Sequence, residues 1–137
     1  MPQDMENNQN LHHRAIKGIY LFNQKKFFDA HEELELAWRE EKGEIRDLYR
    51  GILQIGVAYY HIQRKNFSGG KKLLQRSQKW LQPYSGTYLG INIKKLKQDA
   101  DQIYTKLNNG FFDELSVIDD HLFSTIDFIL SKGEKNG

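Results

Sequence analysis

The sequence contains no cysteine, and this absence narrows the chemistry available to the chain. Disulfides, thiol nucleophiles and thiolate metal sites are excluded, and the composition gives no support for an oxidising compartment. Any catalysis or metal binding would have to use histidine, carboxylate, lysine, arginine or hydroxyl side chains. No cofactor and no metal is predicted, because the sequence carries neither a phosphate-binding glycine loop nor a complete metal-ligand motif.

Long apolar runs are also lacking. The longest mostly apolar stretch covers residues 52–60, is interrupted by Gln54, and is much shorter than the roughly 20 apolar residues of a transmembrane helix. Residues 1–10 are polar and rich in asparagine and glutamine, which is unlike a secretory signal. We therefore predict a cytoplasmic protein without a membrane span.

Apolar residues recur three or four positions apart along most of the chain, which is the period of amphipathic helices. We predict helices over residues 11–22, 27–41, 44–64, 67–81 and 93–107, followed by a short packed segment and a last helix from about Asp119. The core is expected to include Ile52, Ile55, Gly56 and Tyr59 of the third helix, and Trp80 of the fourth is expected to face inward.

These segments predict an all-α fold, a single-domain bundle of five or six helices without a sheet, built from antiparallel αα-hairpins. Residues 22–27 and 62–67 share a pattern at a shift of 62 − 22 = 40 positions. This echo fits either tetratricopeptide-like turns or the reuse of one efficient turn. The predicted organisation is a flexible polar leader over 1–9, one helical domain over 10–131 and a flexible tail over 132–137.

Charge is distributed unevenly around the formal net value of +2. Residues 1–47 hold seven basic and ten acidic side chains, and residues 99–137 hold three and eight. Residues 48–98 hold ten lysines and arginines and no aspartate or glutamate. The chain is therefore basic in its middle and acidic at both ends.

On the fourth predicted helix, the basic residues lie opposite the apolar positions. They are Lys71, Lys72, Arg76 and Lys79. One interpretation is a solvated helix face. The other is an anion-binding surface for an acidic protein, for a nucleic-acid backbone, or for the acidic ends of a second copy in a homo-oligomer.

A motif on the second predicted helix resembles a known family. Residues 28–38 read Phe-Asp-Ala-His-Glu-Glu-Leu-Glu-Leu-Ala-Trp, and residues 46–55 and 60–61 continue the pattern. Over residues 20–107 the sequence resembles the small helical bacterial and archaeal proteins of the domain of unknown function 309 family, with features of its cyanobacterial branch. The resemblance implies an all-α bundle and no assigned activity.

The same motif predicts a polar ladder between the second and third helices. Antiparallel packing about a turn near Lys42 would bring Glu35 to Arg50 and His31 to Gln54. Polar groups on such a partly buried face need hydrogen-bond partners. Under this interpretation the four residues fix the register of the hairpin.

The alternative is a metal-dependent or acid–base enzyme that uses His31, Glu32, Glu35 and His61. Histidine with two carboxylates is a ligand set suited to hard metals. However, the sequence has only one reversed copy of the Glu-x-x-His motif that helical di-metal proteins repeat. The leading hypothesis is therefore a non-enzymatic interaction module whose basic face binds an anionic partner.

Overall fold

The computed structural model describes residues 10–130. The predicted leader over 1–9 and tail over 132–137 lie outside the described residues. Within the described part, five α-helices follow one another: α1 (His13–Asn23), α2 (Phe27–Glu40), α3 (Arg46–Gln63), α4 (Phe67–Leu81) and α5 (Ile93–Asn108). A hairpin of β1 (Thr87–Tyr88) and β2 (Ile91–Asn92) precedes α5, and two 3₁₀ turns, Phe111–Glu114 and Asp120–Leu122, follow it. The helices confirm the all-α fold, whereas the small antiparallel sheet contradicts the expectation of none.

The turn between α1 and α2 and the turn between α3 and α4 have the same backbone conformation. Lys25 and Lys65, which correspond in the sequence echo, have positive φ angles of 66° and 62°. In each turn the next amide, that of Lys26 or Asn66, donates to the carbonyl five residues earlier, which is the hydrogen bond of a Schellman helix end. The sequence echo therefore corresponds to two equivalent helix hairpins.

The core is centred on α3, which packs against both α2 and α4. Ile52, Ile55, Gly56 and Tyr59 are all buried, as predicted. Phe27 of α2 lies at the centre of an aromatic cluster, because its ring centroid is 5.1–5.4 Å from those of three buried side chains. These are Phe22, Tyr59 and Phe123. Burial raises the pKa of the Tyr59 phenol above its ordinary value, because the charged phenolate is disfavoured in this apolar core.

The predicted last helix from Asp119 is wrong. After the 3₁₀ turn at Asp120–Leu122, the chain to Leu130 has no helical hydrogen bonds and runs beside β2. The Asn23 side chain donates to the Ile126 carbonyl at 3.0 Å and accepts from its amide at 2.7 Å, and the Ile129 amide donates to the Gly90 carbonyl. These long-range bonds satisfy the backbone groups that a helix would have paired locally.

Candidate functional site

The basic residues of α4 separate into an exposed group and one side chain that packs on α5. Lys72, Arg76 and Lys79 are exposed, and their spacing of four and three residues puts them on one side of the helix. Lys71 is half-buried, with its ammonium nitrogen 5.8 Å from the centre of the Tyr104 ring of α5. Three of the four predicted residues therefore form one exposed surface, which we call the α4 cationic face.

The buried positions of α4 determine the direction of this face. Gly70, Leu74, Ser77 and Leu81 recur at helical spacing and pack towards the core. Glycine at position 70 permits close helix contact, because an added Cβ would lie 2.9 Å from Ile62 and 3.0 Å from a carbonyl oxygen of α3. The cations lie on the opposite side of α4, where water surrounds them.

Lys72 and Arg76 have no partner of opposite charge among residues 10–130. Within residues 10–130 neither side chain forms an ion pair or a hydrogen bond, although each long side chain could reach several ångströms. Some basic residues outside α4 do have acidic partners: Arg14 and Lys17 pair with Glu33, and Lys95 pairs with Asp99 at 2.7 Å. Lys72 and Arg76 therefore differ from these residues, and they lie in the stretch of sequence that contains no acidic residue.

Next to this face, three cations and two indole rings alternate across α4, α3 and α2. We call this arrangement the cation–indole ladder, and its members in order are Lys79, Trp80, Arg50, Trp38 and Arg46. The Arg50 guanidinium carbon lies 5.0 Å from the Trp80 ring centre and 4.8 Å from that of Trp38. Lys79 lies 5.2 Å from Trp80, and Arg46 lies 4.7 Å from Trp38. All four distances fall within the range of cation–π attraction.

The predicted polar ladder differs from the observed contacts. Glu35, Arg50 and Gln54 do line one recess between α2 and α3. However, the Glu35 carboxylate pairs with Arg39 at 2.6 Å and with His31 at 3.2 Å, both on its own helix. No Glu35–Arg50 ion pair occurs in the described part of the chain, because the Arg50 guanidinium lies against the two indoles instead.

Gln54 also departs from the predicted pairing with His31. It is only 8% exposed, and its side-chain oxygen has no hydrogen-bond partner in the part of the chain that the structure describes. The Nδ1 atom of His31 is likewise buried without a partner among residues 10–130. The register brings these residues to the same face of the hairpin, but it does not bring their polar atoms into hydrogen-bonding contact.

The residues of the alternative catalytic or metal site are only partly brought together. His31 and Glu35 are in contact, but Glu32 is exposed, and the Nδ1 atom of His61 lies 3.1 Å from the side-chain nitrogen of Asn66. Over residues 10–130 there is no group of three histidine, aspartate or glutamate side chains that could hold a metal ion. The geometry thus gives the enzyme hypothesis no assembled set of ligands.

The two tryptophans are the site residues that sequence reasoning missed. Trp80 was expected to face inward; it is partly buried, but it is absent from the hydrophobic side chains that pack on the core. Trp38 does pack on the core with part of its ring. A usable signal was present in the sequence, since Trp80 directly follows Lys79 in a segment without acidic residues.

We expect Arg50 to be coupled energetically to Trp80 and not to Glu35. A double-mutant cycle of Arg50→Ala with Trp80→Leu should give a coupling of about 0.5–1 kcal/mol in the free energy of unfolding, as for a partly exposed cation–π pair. The matched cycle of Arg50→Ala with Glu35→Ala should give a coupling near zero. Urea unfolding of the five variants measures both coupling energies. A larger coupling of Arg50 to Glu35 than to Trp80 would instead support the predicted polar ladder.

The fold and this surface define a class of protein: an all-α protein of helix hairpins with a cationic helix face. Residues 15–73 match the family model described as "Domain of unknown function (DUF309)", which confirms over this segment the family that the sequence predicted. The matched segment runs from α1 into α4 and includes both helix hairpins as far as Leu73. The cyanobacterial branch stays a prediction.

A bacterial relative gives a second comparison. The chain is 32% identical over 84 residues to a Bacillus subtilis (strain 168) protein named "Uncharacterized protein YpuF". The alignment covers 59% of this chain and 48% of the relative, so the chain spans about half of the length of that protein.

None of the helices within residues 10–130 is both long enough and apolar enough to cross a membrane.

Proposed function

We propose that this protein is a non-enzymatic interaction module that binds an anionic partner through the basic residues of α4. The residues that would contact the partner are Lys71, Lys72, Arg76 and Lys79. The observation that carries the proposal is that Lys72 and Arg76 are exposed cations without a carboxylate partner among the described residues. A cytoplasmic location is part of the proposal and rests on the sequence composition alone.

The α4 cationic face holds several like charges close together on one side of the helix. Exposed like charges on one helix side repel one another, and an anionic partner would relieve this repulsion while releasing counterions. Lys72 and Arg76 are four residues apart, a spacing at which like charges destabilise a helix slightly. Solubility alone would be served equally well by alternating signs, as on α2, where Arg39 pairs with Glu35.

The charge pattern fits three kinds of partner: an acidic protein, a nucleic-acid backbone, or the acidic ends of a second copy of this chain. All three predict binding that weakens as salt is added, because each depends on exposed charge. Heparin is a suitable first probe, since it offers dense negative charge without bases or a protein fold.

We expect the double variant Lys72→Glu, Arg76→Glu to elute from heparin at a clearly lower salt concentration than the wild-type protein. The matched control is Lys26→Glu, Lys42→Glu, which also changes the formal net charge from +2 to −2. Lys26 and Lys42 are exposed at the two ends of α2 and lie outside the α4 cationic face. If heparin binds to a local face, the Lys72→Glu, Arg76→Glu variant should elute at a lower salt concentration than the control, although the two variants have the same net charge.

Equal elution of the two variants would mean that heparin senses net charge only, and it would contradict the proposed face. The homo-oligomer alternative has its own measurement on the same samples. If α4 binds the acidic ends of another copy, the wild-type protein should show a larger mass by light scattering at low salt. That larger mass should disappear in the Lys72→Glu, Arg76→Glu variant and persist in the control.

A further inference from the structure

We infer that the anionic partner is a single-stranded nucleic acid whose phosphates contact the cations while a base stacks on Trp80. This inference rests on the proposed function and adds the class of partner. It is carried by the cation–indole ladder, which adjoins the α4 cationic face and shares Lys79 with it.

Among residues 10–130, the two arginines of the ladder have no acceptor for their hydrogen bonds. No nitrogen of Arg46 or Arg50 donates a hydrogen bond to another residue in the described chain, and the Nε atom of each is buried without a partner. A guanidinium group has five N–H donors, and it is suited to the oxygens of a phosphate or carboxylate. The indole rings hold both groups in place, so that little freedom is lost when an oxyanion binds.

Trp80 gives the second indication. It is a large apolar side chain that is only partly buried, and it is not among the residues packed on the core. The cations near its ring are Arg50 and the exposed Lys79. Because Lys79 is on a flexible, solvated stem, a base can take its place against the indole, and the ammonium group is then free to contact a phosphate.

The combination of exposed cations with an indole ring favours a single-stranded nucleic acid over an acidic peptide or a duplex. Proteins that bind single strands combine a positively charged surface with aromatic rings on which unpaired bases stack. An acidic peptide would use the cations but would leave the indole without a stacking partner. The bases of a duplex are already stacked within the helix, so they cannot reach Trp80 without unpairing.

The test compares Trp80→Leu with Trp80→Phe in the full chain. Both variants keep every charge of the surface, but only phenylalanine keeps a π face. The probes are a fluorescein-labelled oligouridylate of about 20 nucleotides, which exceeds a typical single-strand site, a duplex of the same length, and heparin. Anisotropy titration gives the affinities, and thermal melts of both variants establish that they are folded.

For oligouridylate we expect Trp80→Leu to lose at least about fivefold in affinity, while Trp80→Phe stays within about twofold of wild type. Heparin affinity should be the same in all three proteins, because no charge differs. The oligonucleotide should quench the intrinsic tryptophan fluorescence of the wild-type protein, and the duplex should bind more weakly than the single strand.

The inference is overturned if Trp80→Leu binds oligouridylate as tightly as wild type, if fluorescence is not quenched, or if the duplex binds at least as well. In each of these cases heparin binding that depends on Lys72 and Arg76 would still support the proposed function. If heparin binding does not depend on these two residues, the proposed function fails and the inference fails with it.

Discussion

Replacing Phe27 by alanine is expected to lower the free energy of unfolding by about 3–5 kcal/mol. The Phe27 side chain is 1% exposed and contacts the rings of Phe22, Tyr59 and Phe123, which belong to α1, α3 and the C-terminal segment. The substitution would leave a cavity where four parts of the chain meet, and aromatic edge contacts would be lost as well. Urea unfolding followed by circular dichroism measures the loss.

The neighbouring residue is the matched control for this variant. Phe28 is 49% exposed, and its ring contacts only His31 and Tyr60 among the aromatic side chains of the described residues. Phe28→Ala should therefore cost no more than about 1 kcal/mol, as expected for a surface substitution that loses weak ring contacts. Equal losses for the two variants would contradict the assignment of position 27 to the core and position 28 to the surface.

Replacing Gly90 by alanine is expected to cost about 2–4 kcal/mol through backbone strain and a lost hydrogen bond. Gly90 has a φ angle of +86°, and an added Cβ would lie 2.0 Å from the carbonyl oxygen of Ile129. The C-terminal segment would have to move away from β2, which would break the bond from the Ile129 amide to the Gly90 carbonyl. Urea unfolding measures the loss of stability, and hydrogen exchange should show faster exchange over residues 123–130.

The Gly86→Ala variant is the control that separates the steric clash with Ile129 from the strain of a positive φ angle. Gly86 also has a positive φ, of +60°, but an added Cβ would have no neighbour within 4 Å. Its cost should be about 1–2 kcal/mol, the penalty of the left-handed conformation alone, with normal exchange in the C-terminal segment. If Gly86→Ala were as harmful as Gly90→Ala, close contact between the C-terminal segment and β2 would not explain the effect.

The helices could be predicted closely because their signals are local. The segment over 67–81 coincides with α4, and the segment over 27–41 exceeds α2 by one residue. Each has an apolar stripe with helical spacing and a clear break after it, such as Pro83. The shared turn geometry at Lys25 and Lys65 was visible in the sequence as an echo, because the same residue pattern ends both helices.

The C-terminal segment could not be predicted because its structure depends on distant residues. Phe123, Ile126 and Leu130 have the spacing of a helical stripe, which is why a last helix was expected. The backbone is extended instead because the Asn23 amide, 103 residues away, binds both polar groups of Ile126, and because β2 offers a free edge. No local sequence pattern near residues 123–130 indicates these contacts with Asn23 and β2.

In the candidate site too, features that depend on local sequence could be predicted, and contacts between distant residues could not. Exposure of Lys72, Arg76 and Lys79 follows from the apolar stripe of α4, whereas Lys71, which was predicted with them, is half-buried beside Tyr104. The partner of Arg50 did not follow from the register, because Glu35, Trp38 and Trp80 all lie within reach. Glu35 has Arg39 one turn further along α2, and the two indoles leave Arg50 a site between them.

The salt dependence of oligouridylate binding tests the role of the α4 cationic face most directly. Affinity is measured from low to high salt for the wild-type protein and for Lys72→Gln, Arg76→Gln, which removes two charges without reversing them. Each phosphate that a cation neutralises on a single strand contributes about 0.7 to the slope of log affinity against log salt, so we expect a slope shallower by about 1.4 in the variant. Parallel lines for the two proteins would show that neither side chain contacts a phosphate of the strand, and would contradict a role of the α4 cationic face in binding it.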